Sequence, residues 1–295
     1  MKVYREKYAA AAYKKILNDL LNNPEYVSKP RNMEVREILN CIIEIEYPNF
    51  NMYKNEVRSS QEKYIAAELL FYFSGTDEAT FIERYASMWK SLKDKNNRVN
   101  SAYGHLLFNE ENEHGLTQYE WAIETLKRDK DSRQAIMHFN KPHHQHFDNK
   151  DQVCTLTSLF HIRNNKLHMT LNMRSNDVIL GFMTDFTFFN ILHQQAYIHL
   201  KEYYPELKMG SYTHTSHSMH LYERHYEKVK EMLEKPFIPD GTPDLNTSII
   251  HENGLYLDKY KEIFEPIELQ CENPTVKYTD NDIINWALNK IQNND

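Results

Sequence analysis

Residues 154–162, CTLTSLFHI, and 166–173, KLHMTLNM, each alternate apolar with polar side chains, and only RNN lies between them. Alternation over eight or nine residues suits a pleated strand with one buried face, and two such runs this close predict an antiparallel hairpin. A long apolar stretch follows, from about Asp185 to Tyr203, and stops before Pro205, which disfavours helix in its predecessor. RQAIMHF and about 210–220 read as further strands. Helical periodicity covers about 4–22, 61–74, 78–93 and 116–128, with another helix after Tyr222. Helices interleaved irregularly with strands predict an α+β domain, a sheet packed against helices.

The chain has 295 residues with only 7 glycines and 10 prolines, which leaves no long flexible linker and favours one domain over 1–295. Pro236, Pro239, Gly241 and Pro243 mark a looped stretch over 235–260, and a last helix is expected from Thr279 or Asp280. A net charge of −7 argues against general nucleic-acid binding while leaving room for a local basic pocket. The start, MKVYREKYAAAAYKKILNDLLNN, reads as an amphipathic helix without the apolar core of a signal peptide. No run approaches the roughly twenty apolar residues that span a bilayer. Cys41, Cys154 and Cys271 are odd in number and widely spaced, so a disulfide framework is not expected and a reducing cytoplasm is.

Four features point to chemistry. Cys154 opens a strand; it is either a small buried hydrophobe or a nucleophile, and the second role needs nearby cations. Arg174, across the hairpin, is one such cation. Glu68, within YIAAELLFYFSG, is a carboxylate among apolar residues, suited to a snorkelling role or to a general acid/base with a raised pKa. HTSHSMHLYERH and HHQH are histidine-rich, but no cysteine or carboxylate stands at a metal-ligand interval, so no metal is expected. On a regular strand His214 and His220 would share one face, and His220 and Tyr222 would pair toward a ligand hydroxyl. Finally, NMRSNDVILGFMTDF laces Arg174, Asp177 and Asp185 through an apolar stretch.

ELLFYFSG, VNSAYG, DSRQAI, the strand-opening cysteine, MRSNDVILGF and SMHLYERH stand in the order and spacing of the thymidylate synthase family. The chain resembles that family from about residue 28 to 230, with a C-terminal extension over about 235–295. The resemblance implies a homodimer with a large twisted mixed sheet at its interface. It also implies chemistry on a pyrimidine nucleotide monophosphate with 5,10-methylenetetrahydrofolate as co-substrate. Carried over position by position, Cys154 would attack C6 of the base, Glu68 would manage protons, and Tyr103 would support the nucleophile. Arg174, Ser175 and an N-terminal arginine, Arg31 in preference to Arg36, would hold the phosphate. Arg133 would reach it from the other subunit, and Gln134 stands where a second arginine is usual. His220 and Tyr222 would bind the sugar hydroxyl; Asp177, Gly181 and Trp89 would adjoin the folate.

Asp185 stands where synthases proper carry an asparagine. A carboxylate can accept from the N4 amino group of cytosine, and a shared proton completes the bond to N3. The GFMTD arrangement resembles that of the deoxycytidylate hydroxymethylases of large phages, so the expected activity is conversion of dCMP to 5-hydroxymethyl-dCMP. The competing role for Asp185 is to cap the following helix. Leu92, where synthases carry a second tryptophan, and WALNKIQNND, read as a polar helix with no lid, favour water over hydride in the final step. Alternatives are a dUMP methylase or hydroxymethylase and a non-catalytic nucleotide- or RNA-binding member of the fold. If phage-encoded, the protein would work in the host cytoplasm.

Overall fold

The computed structural model describes residues 1–245 and 281–292. Cys271, Thr279 and Asp280 lie outside them. The chain opens with β1 (Lys2–Glu6), α1 (Ala9–Asn22), β2 (Tyr26–Ser28), β3 (Val35–Ile45), β4 (Met52–Lys54) and α2 (Glu62–Phe73). Two short helices, α3 (Met88–Leu92) and α4 (Tyr103–Phe108), lead to α5 (Gln118–Arg128). Then come β5 (Ile136–His138), β6 (Thr155–Arg163), β7 (Lys166–Met173), β8 (Asn176–Asp177), the 22-residue α6 (Phe182–Tyr203) and β9 (Lys208–Tyr222). The described chain closes with α7 (Tyr226–Leu233), β10 (Ile238–Asp240) and α8 (Asp282–Gln292). The main sheet has the order β1-β3-β9-β7-β6-β5, with β2 on β3 and β8 on β9; β10 and β4 form a separate ribbon. The fold is α+β, a large mixed sheet packed against helices.

The β6–β7 hairpin forms as its pattern predicts. Arg163 pairs with Lys166, and Asn164 and Asn165 occupy the turn with φ of 51° and 56°. Positive φ at both central residues gives the turn the twist of the strands it joins, and asparagine tolerates it. α6 packs on the inner face of this sheet and buries Phe182, Phe186, Phe188 and Phe189. It is buried nearly all round, which is why its apolar pattern is continuous rather than striped.

Four expectations are corrected. The helix expected over 4–22 begins only at Ala9; Lys2–Glu6 is a strand parallel to Cys41–Ile45 of β3. The helix expected over 78–93 is interrupted. Asn97 accepts from the Ala79 amide (2.8 Å) and Asp77 from the Val99 amide (3.0 Å), so the stretch closes into a loop that holds only one 3-10 turn and α3. The stretch over 235–260 contains a strand, β10, before the described residues end at 245.

Fourth, His214 and His220 do not share a face. β3 and β9 pair antiparallel without a register change, yet both switch the side they bury at the same level: β3 from Ile38 to Cys41, β9 from Met219 to Ser216. Asn40 (φ 51°) and His217 stand at the kink, 2.9 Å apart through Asn40 Oδ1 and His217 Nδ1. His214 therefore joins the buried layer, and His220 is only half-buried.

The helix expected near the C-terminus is present, but it is not polar all round. α8 is amphipathic: Ile283, Ile284, Ala287, Leu288 and Ile291 are buried, the helix packs on α2, and Lys290 pairs with Glu62. Asn281 supplies its cap, accepting from the Ile284 amide at 3.0 Å. Because α2 carries Glu68, α8 braces the element that positions a candidate catalytic group. Leu288→Ala should lower the unfolding free energy by about 2–5 kcal/mol in urea melts, as for other buried leucines. An unchanged midpoint would contradict the docking of α8.

Candidate functional site

Cys154 stands immediately before β6, half-buried, with its carbonyl accepting from the Arg174 amide at 2.8 Å. The Arg174 guanidinium turns inward: Nε donates to the Val153 carbonyl (3.0 Å), and Nη2 to that of Gln152 (2.6 Å) and to Cys154 Sγ (3.4 Å). Its charge favours the thiolate, and that of Arg31 does so more weakly. Burial outweighs both, however, and the nearby charges of Asp185 and Asp151 add to it, so the thiol is pushed up rather than down. The arginines favour the thiolate, as expected, but do not by themselves offset the burial.

Of the two N-terminal candidates, Arg31 is exposed in a single turn at φ 53°, close enough for its charge to act on Cys154. Arg36 is engaged elsewhere: it stacks 4.1 Å from the Tyr226 ring and donates to the Leu21 carbonyl. Arg133 is exposed beside Trp121 and Gln134, in a groove between α5 and β5 apart from Cys154 of its own chain.

β8 brings the two motifs together. It pairs parallel to β9 with Asp177 opposite His220, which sets Ser175 Oγ 3.5 Å from His220 Nδ1. The His220 and Tyr222 rings stand edge to face at 5.2 Å, and Arg224 lies over Tyr222 at 4.7 Å. Asp177 Oδ1 accepts from the amides of Ile179 (2.8 Å) and Leu180 (3.0 Å), fixing the turn into α6. Gly181 precedes the helix, and a Cβ there would lie 3.3 Å from Asn176 Nδ2 and 3.4 Å from Asp185 Oδ2. A side chain there would ask Asn176 to give by a few tenths of an ångström.

Asp185 does not cap α6. It lies inside the first turn, and its Oδ2 accepts from Asn176 Nδ2 at 2.8 Å. Burial pushes its carboxyl up to about 7, with Asn176 opposing. Glu68, 5% exposed on α2, accepts from the Tyr64 hydroxyl at 2.8 Å; Trp89 Nε1 in turn donates to Tyr64 at 3.1 Å. Trp89 thus acts behind Tyr64 rather than at the cavity wall. Glu68 Oε2 is buried with no hydrogen-bond partner, and burial first, then the charge of Asp185, pushes Glu68 up to about 8. Tyr103 is buried against Tyr72 (5.1 Å) and Phe139 (5.4 Å), within reach of the charges of Asp185 and Cys154. A cavity of about 400 Å³ opens between α2 and α6, lined by Arg58, Tyr64, Ile65, Leu180 and Met183 among others.

Several contributors carried no assigned role in the sequence reading: Asp151, which accepts from the Ser101 amide (2.7 Å) and hydroxyl; Arg58; Tyr64; and Asn176 with His214 behind it. Asn176 lies within the RSND motif and was open to notice; the others are assembled only by the fold. His144 of HHQH accepts from the Lys141 amide at 3.1 Å in a local turn. Among the described residues no group of three or more His, Cys, Asp or Glu could hold a metal ion.

The raised carboxyls have a stability consequence. A folded pKa above the unfolded one means the folded state binds more protons, so stability falls as pH rises from about 4 through about 8. Glu68→Gln should therefore stabilise the substrate-free protein at pH 8 by a few kcal/mol, and by little at pH 4. Chemical unfolding at both pH values checks this, and equal effects at both would contradict it.

The thymidylate synthase family model matches residues 11–276. Deoxycytidylate 5-hydroxymethyltransferase of Enterobacteria phage T6 is 30% identical over 175 residues, 56% of this chain and 69% of that protein, and the phage T4 protein of the same name matches equally. Deoxyuridylate hydroxymethyltransferase of Bacillus phage SP01 is 25% identical over 288 residues, 94% of this chain and 70% of that protein. With the match covering nearly its whole length, the chain belongs to the thymidylate synthase family of one-carbon transferases.

Proposed function

We propose that this protein converts dCMP to 5-hydroxymethyl-dCMP, with Asp185 reading the amino edge of the base. The observation that carries this is the position of Asp185: a half-buried carboxyl whose surroundings push it up to about 7, held by Asn176 and not used as a helix cap. Cytosine presents an N4 donor beside an N3 acceptor, and a carboxyl that shares one proton with the ring satisfies both. A buried mismatch would be penalised by about 1–3 kcal/mol per unpaired group, enough to set a preference.

The remaining residues fit the same chemistry. Arg31, Arg174 and Ser175, with Arg133 from a second copy in a homodimer, supply charge-assisted bonds for a phosphate dianion. A phosphate near Arg174 would compete with its bonds to the Gln152 and Val153 carbonyls. His220 and Tyr222 face the place of the sugar. Cys154 Sγ would add to C6, which makes C5 electron-rich; C5 would bond to the one-carbon unit and lose its proton. The bond from that carbon to the folate nitrogen would break as tetrahydrofolate leaves, water would add to the exocyclic methylene, and the C6–S bond would break to return the thiolate. Glu68, neutral near pH 7 and with Oε2 unpaired, is placed to exchange protons with base or water.

The cavity between α2 and α6 fits a flat heterocycle with an anionic tail, since Ile65, Leu180 and Met183 offer apolar walls and Arg58 a cation. 5,10-Methylenetetrahydrofolate would supply the one-carbon unit there. Water rather than hydride in the last step is supported by Leu92 and by the hydroxymethyltransferase relatives, not by a polar C-terminus. The phage SP01 relative, matched along almost the whole chain, favours a second reading in which protonated Asp185 donates to the 4-oxo group of dUMP.

With methylenetetrahydrofolate present, the protein should release tritium from C5 of dCMP and yield the hydroxymethyl product by mass. Release from dUMP alone would assign the second reading. Cys154→Ser should abolish release, and Asp185→Asn should move the preference toward dUMP; an unchanged preference would remove Asp185 from base reading.

A further inference from the structure

Behind Asp185 runs a line of buried polar side chains to which the chemistry above gives no part. Asn176 Nδ2 donates to Asp185 Oδ2 (2.8 Å), His214 Nε2 lies 3.1 Å from Asn176 Oδ1, and Tyr212 Oη lies 3.1 Å from His214 Nδ1. Tyr212 and His214 are fully buried and Asn176 is 3% exposed. The line joins β9, β8 and α6.

The direction of each bond in it is determined. The Tyr212 hydroxyl makes no other hydrogen bond among the described residues, and a buried hydroxyl hydrogen left unpaired is penalised, so Tyr212 donates to His214 Nδ1. Burial keeps His214 neutral, pushing it down to about 3. Its one ring proton therefore sits on Nε2 and points at Asn176 Oδ1. The Asn176 amide is left with Nδ2 toward Asp185 and cannot flip without breaking two bonds. Glu68, Tyr64 and Tyr72 from α2, Tyr103 from α4 and Cys154 at the head of β6 also surround the carboxyl electrostatically. Among the described residues, Asn176 is the side chain that hydrogen-bonds to it.

We infer that Tyr212, His214 and Asn176 are positioning residues that set the base preference of Asp185 by favouring Oδ2 as the acceptor and Oδ1 as the site of any carboxyl proton. This rests on the proposed base-reading role of Asp185. With the amino group on Oδ2, cytosine finds an acceptor there and the shared proton at Oδ1 for N3. Uracil would place its 4-oxo group against an oxygen on which the Asn176 donor disfavours a proton.

The test is the ratio of dissociation constants for dCMP and dUMP, measured by calorimetry on the full chain and its variants. His214→Leu should narrow the dCMP preference about tenfold, the worth of one hydrogen bond. His214→Gln, which keeps an N–H near the place of Nε2, should stay within about threefold of the parent. Tyr212→Phe, which removes only the hydroxyl, should narrow it by a smaller factor, and it decides the matter if His214→Leu does not fold. A ratio unchanged in the folded variants, both nucleotides weakened in parallel, or a His214→Gln ratio as narrow as that of His214→Leu would each overturn the inference. Asp185→Asn separates the two failures. If it moves the ratio while the relay variants do not, base reading stands and the relay falls; if it leaves the ratio unchanged, both fall.

Discussion

Glu68 on α2 and Asp185 on α6 lie close enough to interact: burial penalises each charge, and the charge of Asp185 opposes ionising Glu68. In water both would be carboxylates at neutral pH. Here each sits near its midpoint at physiological pH, so a proton can be held or given up at little expense. The charge of Asp185 also acts on Cys154, whose thiol is raised by burial and held in check by Arg174. Ionising the sulfur and protonating Asp185 are thus coupled events, and an anion that re-engages Arg174 would disturb both.

Much of the surrounding architecture holds these carboxyls in register. α8 covers α2 through Ile284 and Leu288, and α6 is buried nearly all round. The matched kinks of β3 and β9 turn His214 inward while leaving His220 and Tyr222 beside Ser175. One strand thereby supplies both a buried support for Asp185 and a polar edge for the proposed sugar site. Gly181 allows the turn after Asp177 to press against the Asn176–Asp185 pair.

The parts of this legible in the sequence are those encoded by neighbours in the chain. The β6–β7 hairpin follows from alternation and two asparagines, α6 from an apolar run, and the RSND and HLYERH motifs from residues close enough to read together. β3 was not legible, because its buried set steps from Val35 to Ile38 to Cys41 across the kink and so mimics neither a strand nor a helix. The break at 78–93 depends on hydrogen bonds to Asn97 and Val99, outside the window in which periodicity is judged. The relay from Tyr212 to Asp185 joins residues far apart in sequence, and the role of His214 appears only once the face switch is known. α8 was misjudged because its last residues are polar while its inward stripe, Ile283 to Ile291, is not.

The central claim is that two neighbouring carboxyl groups, Glu68 and Asp185, retain protons at neutral pH. Carbon-13 NMR titration of the side-chain carboxyls in the substrate-free protein tests it most directly. The account predicts two apparent steps near pH 7 and 8, one lost in Asp185→Asn and the other in Glu68→Gln. Both groups fully ionised by pH 5.5 would contradict it.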